Sequence, residues 1–256
     1  MKTKKTIPTI LLLFFYSFCI AQSEQKITVV AAANLKVAMD SILSVYKVQN
    51  PGEEIQVTYG ASGKLFEQIS NDAPFDIFFS ADMDYPIKLK DRKKTISDVK
   101  MYGIGQLVIW SKKIDPNVEQ MNSLLDAGIN KIAIANPITA PYGEKAVESM
   151  KYYKIYNKIE GKLVYGENIT QAAQFVTFGA ADIGITALSL ALSPAMMKEA
   201  GKYYIIPEKS HHPLEQGCVM LKHAKGNSSA AKFFNFISSA KAAAILTHYG
   251  YSQKVK

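Results

Sequence analysis

KITVVAAANLKVAMDSILSVYKVQ, residues 26–49, passes from a strand to a helix with only a few small residues between them. Residues 26–31 (KITVVA), rich in β-branched side chains, read as a buried strand. From Leu35 the apolar residues fall at Leu35, Ala38, Met39, Ile42, Leu43 and Tyr46, which is helical spacing, and Asn50-Pro51-Gly52 stops the helix. The unit then repeats. Residues 55–59 read as a second strand, and residues 64–70 as a helix with Leu65, Phe66 and Ile69 on one face. Residues 76–80 read as a third strand, ended by Ala81-Asp82.

Further on, residues 102–110 (YGIGQLVIW) form another apolar run, in which Gly103 and Gly105 suggest a bend or a domain crossing. The alternation then starts afresh. Strands at 131–135 and 161–165 lead into helices from Glu144 and Thr170, and a further strand covers 181–186. A polar loop containing Pro213 precedes a strand at 218–221 and a last helical stretch from Ser229. Strand–helix alternation defines an α/β fold with parallel-rich sheets flanked by helices. The economical arrangement has two lobes. Residues 22–104 and 211–256 form a discontinuous lobe I, and residues 105–210 are inserted as lobe II. Two crossing segments make a hinge beside a cleft.

The first twenty-one residues have the form of a signal peptide. Lys2, Lys4 and Lys5 precede a short apolar core, and Cys19-Ile20-Ala21 places small residues before Gln22. A lipoprotein anchored through Cys19 is the competing form, which the bulky Phe18 before it disfavours. Export to the periplasm is the expectation. The remaining chain, about 235 residues, is long enough for a proper core. Its lone Cys218 excludes an intramolecular disulfide and a cysteine-based metal site. Loss of the three lysines lowers the net charge from +8 to +5, spread as scattered lysines without the basic, aromatic-laced stripe of a nucleic-acid binder. Arg92 is the only arginine. Any anion site must therefore do without the guanidinium fork and use neutral donors or lysine.

Four strand-to-helix junctions carry small, neutral, donor-rich residues: Ala31 to Asn34, Tyr59 to Gly63, Asn136 to Gly143, and Gly166 to Ile169. Open α/β sheets bind ligands at that edge, where helix starts offer unpaired N–H groups and partial positive charge. Several such starts facing one cleft would hold an anion without a formal cation. Taken singly, Asn34 and Ser62 are also ordinary helix caps.

Other signals lead nowhere. Residues 60–64 (GASGK) lack the first glycine and the final Ser/Thr of a phosphate-binding loop, and Lys64 breaks a Gly-x-Ser-x-Gly elbow around Ser62. The adjacent His211 and His212 have no matched metal motif, and Asp76 and Asp82 read as structural. Nothing resembles a catalytic constellation, so no enzyme activity is expected.

The strings VVAAANLKVAM (29–39), YGASGKLFEQI (59–69), APFDIFFSAD (73–82), IANPITAPYGEKA (134–146), GENITQAAQFV (166–176) and AAAILTHYGY (242–251) resemble, in order, segments of the periplasmic molybdate-binding proteins of ABC importers. The resemblance implies a two-lobed type II periplasmic binding protein. It also implies a site that holds molybdate or tungstate by neutral hydrogen bonds, with molybdenum present only inside the oxyanion and no direct protein–metal ligand. Matched to the family, Asn34 and Ser62 would give side-chain donors, and Tyr142 and Ile169 backbone N–H groups, their side chains mattering less. Ala33 would add a backbone or neighbouring contact. Where some members have a ligating tyrosine this chain has Ala187, with Thr186 beside it as a substitute donor. No cofactor, a monomeric state and delivery to an inner-membrane permease are further implications. A carrier of a sulfate-like or small organic anion on the same fold is the alternative, and a secreted α/β hydrolase the alternative from another class.

Overall fold

The structure, a computed structural model, describes residues 26–252. The segment read as a signal peptide, with Cys19, lies outside the described residues. Two five-stranded sheets organise the chain. The first contains β1 (Ile27–Ala32), β2 (Ile55–Gly60), β3 (Ile77–Phe79), β4 (Lys100–Gly105) and β10 (Leu214–Met220), in the order β2-β1-β3-β10-β4. The second contains β5 (Leu107–Ser111), β6 (Ile132–Ala135), β7 (Leu163–Gly166), β8 (Ile183–Ala187) and β9 (Lys202–Ile205), in the order β7-β6-β8-β5-β9. Each sheet is mixed: three adjacent strands run parallel, β2-β1-β3 and β7-β6-β8, and the other two pairings are antiparallel.

Helices cover both sheets. Around the first lie α1 (Lys36–Gln49), α2 (Ser62–Ser70) and α3 (Asp84–Asp91). Around the second lie α4 (Pro116–Glu119), α5 (Pro141–Tyr152), α6 (Tyr156–Ile159), α7 (Ile169–Thr177), α8 (Leu188–Ala191) and α9 (Pro194–Met197). The chain ends in α10 (Ser228–Phe236) and α11 (Ala240–His248), back on the first sheet. Among the described residues no helix is long and apolar enough to cross a membrane.

The run of consecutive apolar residues Val29 to Ala32 in β1 has its reason in the packing. Val29 and Ala31 pack into one core with Leu35, Met39, Ile42 and Tyr46. Val30 faces the opposite core with Leu65, Phe66, Phe78 and Leu89. Both faces are covered, so no polar alternation is possible. In the second sheet Val108, Trp110, Ala133 and Ile185 share a core with Ala146, Met150 and Val176.

The run at 102–110 belongs to two strands. It changes sheet at Gln106, between β4 and β5, and the chain returns over residues 206–213. Hydropathy alone does not divide it, because both halves are buried. The last helical stretch is likewise two helices, since the Ser239 hydroxyl accepts the Ala242 N–H and starts α11 anew. Strand β9 and helix α3, in which Pro86 occupies the third position, carry weak periodicity and were not read from the sequence.

Candidate functional site

Asn34 occupies a 3₁₀ turn between β1 and α1, and Ser62 is the first residue of α2, directly after β2. Tyr142 is the second residue of α5, and Ile169 is the first of α7. All four line one small pocket shared by the two lobes, together with Ala33. Its wall is built largely of Ala32, Ala33, Ala61, Ala81 and Ala140, small residues that let main chain approach the space. Thr186, the substitute donor, has a buried hydroxyl without a partner, but does not line the cavity.

The reading of Asn34 and Ser62 as ordinary caps does not hold. No side chain caps α1, α2 or α5, whose cap positions are Leu35, Ala61 and Ala140. Only α7 is capped. Asn168 accepts from the N–H groups of Thr170 and Gln171 at 3.0 and 3.1 Å, leaving that of Ile169 outside the cap. First-turn N–H groups have no intrahelical acceptor, so those of Ser62, Tyr142 and Ile169 are donors in need of a partner. The Ser62 hydroxyl oxygen already accepts the Ala81 N–H at 2.9 Å. Its own proton is therefore available for another acceptor.

Asn34 is completely buried. Its Nδ2 lies 2.9 Å from Gln216 Oε1 and 2.8 Å from Tyr251 Oη, while its Oδ1 has no partner. The Tyr142 hydroxyl, to which the sequence assigned no role, sits 3.0 Å from Gln216 Nε2. Burial raises its pKa well above the usual tyrosine value, so it keeps its proton. Gln216 escaped the sequence reading. It follows Glu215 near the start of β10, so the sequence reads it as solvated, and only its burial shows that the amide must be engaged by something.

Among the described residues no carboxylate, ammonium or guanidinium lines the cavity. Arg92 instead stacks over Phe66 and donates to Ser70 on the far side of α2. The lobes are stitched by neutral bonds. Gly63 N–H donates to Thr139 O at 2.9 Å, Thr170 Oγ1 to Ala33 O at 3.1 Å, and Ser189 Oγ to Asn34 O at 2.8 Å. One half-exposed ion pair, Lys64–Glu167 at 2.8 Å, also spans them. His212 pairs with Glu148 on the surface of the second lobe. Asp76 accepts from Thr28 N–H and hydroxyl and faces His223, a structural role.

Asp82, next to cavity-lining Ala81, is held by the Tyr85 N–H and the Ser80 hydroxyl. Desolvation outweighs these bonds and lifts its pKa to about 6. The native state therefore binds more protons than the unfolded chain between about pH 4 and 6, and stability falls as pH rises through that window. Asp82→Asn is expected to remove that fall and to raise the melting temperature at pH 7. Melting curves from pH 4 to 8 check this, and an unchanged slope would count against it.

A small pocket between two α/β lobes, walled by helix starts, is the architecture of solute-binding proteins. The chain belongs to the bacterial extracellular solute-binding protein family, whose model matches residues 27–252. That family is one of binding proteins and not of enzymes. The chain is 34% identical over 206 residues to the molybdate-binding protein ModA of Rhodobacter capsulatus, covering 79% of each. It is 32% identical to ModA of Azotobacter vinelandii, covering 91% of this chain and 92% of that protein. The solved periplasmic molybdate-binding protein of Azotobacter vinelandii superposes with a TM-score of 0.83 at 29% identity, over 90% of this chain and all of the other. The sulfate-binding protein SubI of Mycobacterium tuberculosis, at 15% identity and a TM-score of 0.73, shares the fold.

Proposed function

We propose that the chain captures molybdate, and tungstate with it, in the interlobe cavity and delivers it to an ABC permease in the inner membrane. The observation that carries this reading is the convergence of three uncapped or partly capped helix starts, Ser62 and Asn34 on a cavity without charged side chains. Fixed N–H and O–H dipoles supply the field that a dianion needs. Selectivity follows from size and protonation. The longer metal–oxygen bonds of molybdate and tungstate reach donors that sulfate leaves unpaired, and unpaired buried donors are costly. Protonated phosphate requires an acceptor where this site offers donors.

Export to the periplasm rests on the segment at 1–21 and on the family. The ligand-binding residues are Asn34 and Ser62 through side chains, and Tyr142 and Ile169 through N–H. A thermal-shift panel of molybdate, tungstate, sulfate, phosphate and vanadate tests the reading. A ligand bound only by the native state stabilises it by about 4 kcal/mol at a thousandfold excess over Kd. Molybdate and tungstate are expected to give that large shift, and sulfate at equal concentration almost none. A sulfate shift as large would overturn the molybdate assignment in favour of a general oxyanion carrier.

A further inference from the structure

Gln216 links the anion cavity to the opposite lobe. It is completely buried on β10, and its amide meets three groups. The Oε1 end lies 2.9 Å from Asn34 Nδ2 and 2.7 Å from Tyr102 Oη, and the Nε2 end lies 3.0 Å from Tyr142 Oη. As labelled, this arrangement leaves two difficulties. The Tyr102 hydroxyl has one proton but faces two acceptors, Gln216 Oε1 and Ser80 O at 2.9 Å. Asn34 Oδ1 is buried with nothing to accept. Lone pairs in the wall of a cavity for a dianion would also repel the ligand.

Amide oxygen and nitrogen occupy equivalent positions, and the hydrogen-bond network decides between them. Exchanging them in both Asn34 and Gln216 resolves these difficulties together. Gln216 Nε2 then donates to Asn34 Oδ1 and to Tyr102 Oη, and Tyr102 gives its proton to Ser80 O. Tyr142 Oη donates to Gln216 Oε1. Tyr251 Oη turns to Asn34 Oδ1 the single proton that it otherwise gives to Asn34 O, 3.1 Å away, and Asn34 O keeps the Ser189 hydroxyl at 2.8 Å. The unpaired corner of Asn34 becomes an NH₂, a donor where the anion needs one.

We propose that Gln216 is the positioning residue that turns the Asn34 amide so that its NH₂ faces the bound oxyanion, and that the Tyr142 hydroxyl, arriving from the other lobe, fixes Gln216 in that orientation. Lobe closure and presentation of the donor are then one event. Gly105 fits the same scheme, because a Cβ there would lie 2.1 Å from Tyr142 Oη and 2.2 Å from Gln216 Nε2. Only glycine leaves room for that bond at the strand where the chain changes lobe.

The inference rests on the reading of the cavity as an oxyanion site, and the test separates the two. Molybdate is titrated by calorimetry into the full chain, Gln216→Met, Asn34→Ala and the double variant, each checked for folding by circular dichroism. Gln216→Met is expected to weaken binding about tenfold, the scale of one hydrogen bond to a charged group. In the Asn34→Ala background it should cause no further loss, the non-additivity of residues acting through one another. In ¹⁵N-labelled unsubstituted protein, the Asn34 side-chain NH₂ pair should shift when molybdate is added, and this readout needs no variant to fold. Equal losses in both backgrounds, or an Asn34 NH₂ pair unmoved by saturating molybdate, would overturn the role of Gln216 while leaving the site intact. Absence of any molybdate binding by the unsubstituted protein would overturn the site reading itself.

Discussion

Ser62→Ala is expected to lower molybdate affinity about ten- to a hundredfold while leaving the fold intact. The hydroxyl is buried, accepts the Ala81 N–H at 2.9 Å, and has its own proton to spare for a ligand oxygen. A hydrogen bond to a charged group contributes about 1.5–3 kcal/mol. Losing the acceptor role towards Ala81 adds to the cost by loosening the loop after β3. Because Ser62 does not cap α2, the substitution takes no capping energy from the helix. Calorimetry on the variant, with its melting temperature measured without ligand, separates the two effects. Normal affinity in a folded Ser62→Ala protein would mean the anion sits elsewhere in the cavity.

Gly63→Val is expected to abolish tight binding by a different route. A Cβ at this position would lie 2.9 Å from Thr139 O and 2.7 Å from the Tyr85 hydroxyl. The tyrosine tip can turn aside, but Thr139 O is main chain of the other lobe and also accepts the Gly63 N–H. Closure is therefore what the added side chain opposes. Each lobe keeps its own core, so the variant should fold and remain open. Small-angle scattering should give a larger radius of gyration with saturating molybdate for the variant than for the unsubstituted protein, and affinity should fall by a hundredfold or more, about 3 kcal/mol by affinity arithmetic. Closure of the variant on ligand, with unchanged affinity, would show that the contact at Thr139 is not needed.

The α/β alternation was legible because period and composition are local properties. Residues 26–49 carried both an apolar run and a helical spacing, and β1 and α1 stand there. The positions of Asn34, Ser62, Tyr142 and Ile169 at strand-to-helix junctions were legible for the same reason, and they share a cavity in the structure. What escaped depends on contacts distant in sequence. The Tyr142 hydroxyl meets Gln216 across 74 positions, and Asn34 meets Gln216 across 182. No local pattern encodes either pair. The absence of caps at α2 and α5 was also hidden, because Ser62 has the chemistry of a cap and only its place inside the first turn removes it from that duty.

The alanine wall has a consequence for how this protein tolerates change. At Ala32, Ala33, Ala61, Ala81 and Ala140 the side chain contributes almost no chemistry, yet each methyl borders the same small space. Substitution by anything larger would occupy volume that the ligand needs. Sequence drift is thus least free where the residues look most ordinary, and a neutral-seeming alanine-to-valine exchange would intrude on the ligand's space. Mutational fragility in this molecule follows closeness of main chain to ligand, and the reactivity of a side chain is a poor guide to it.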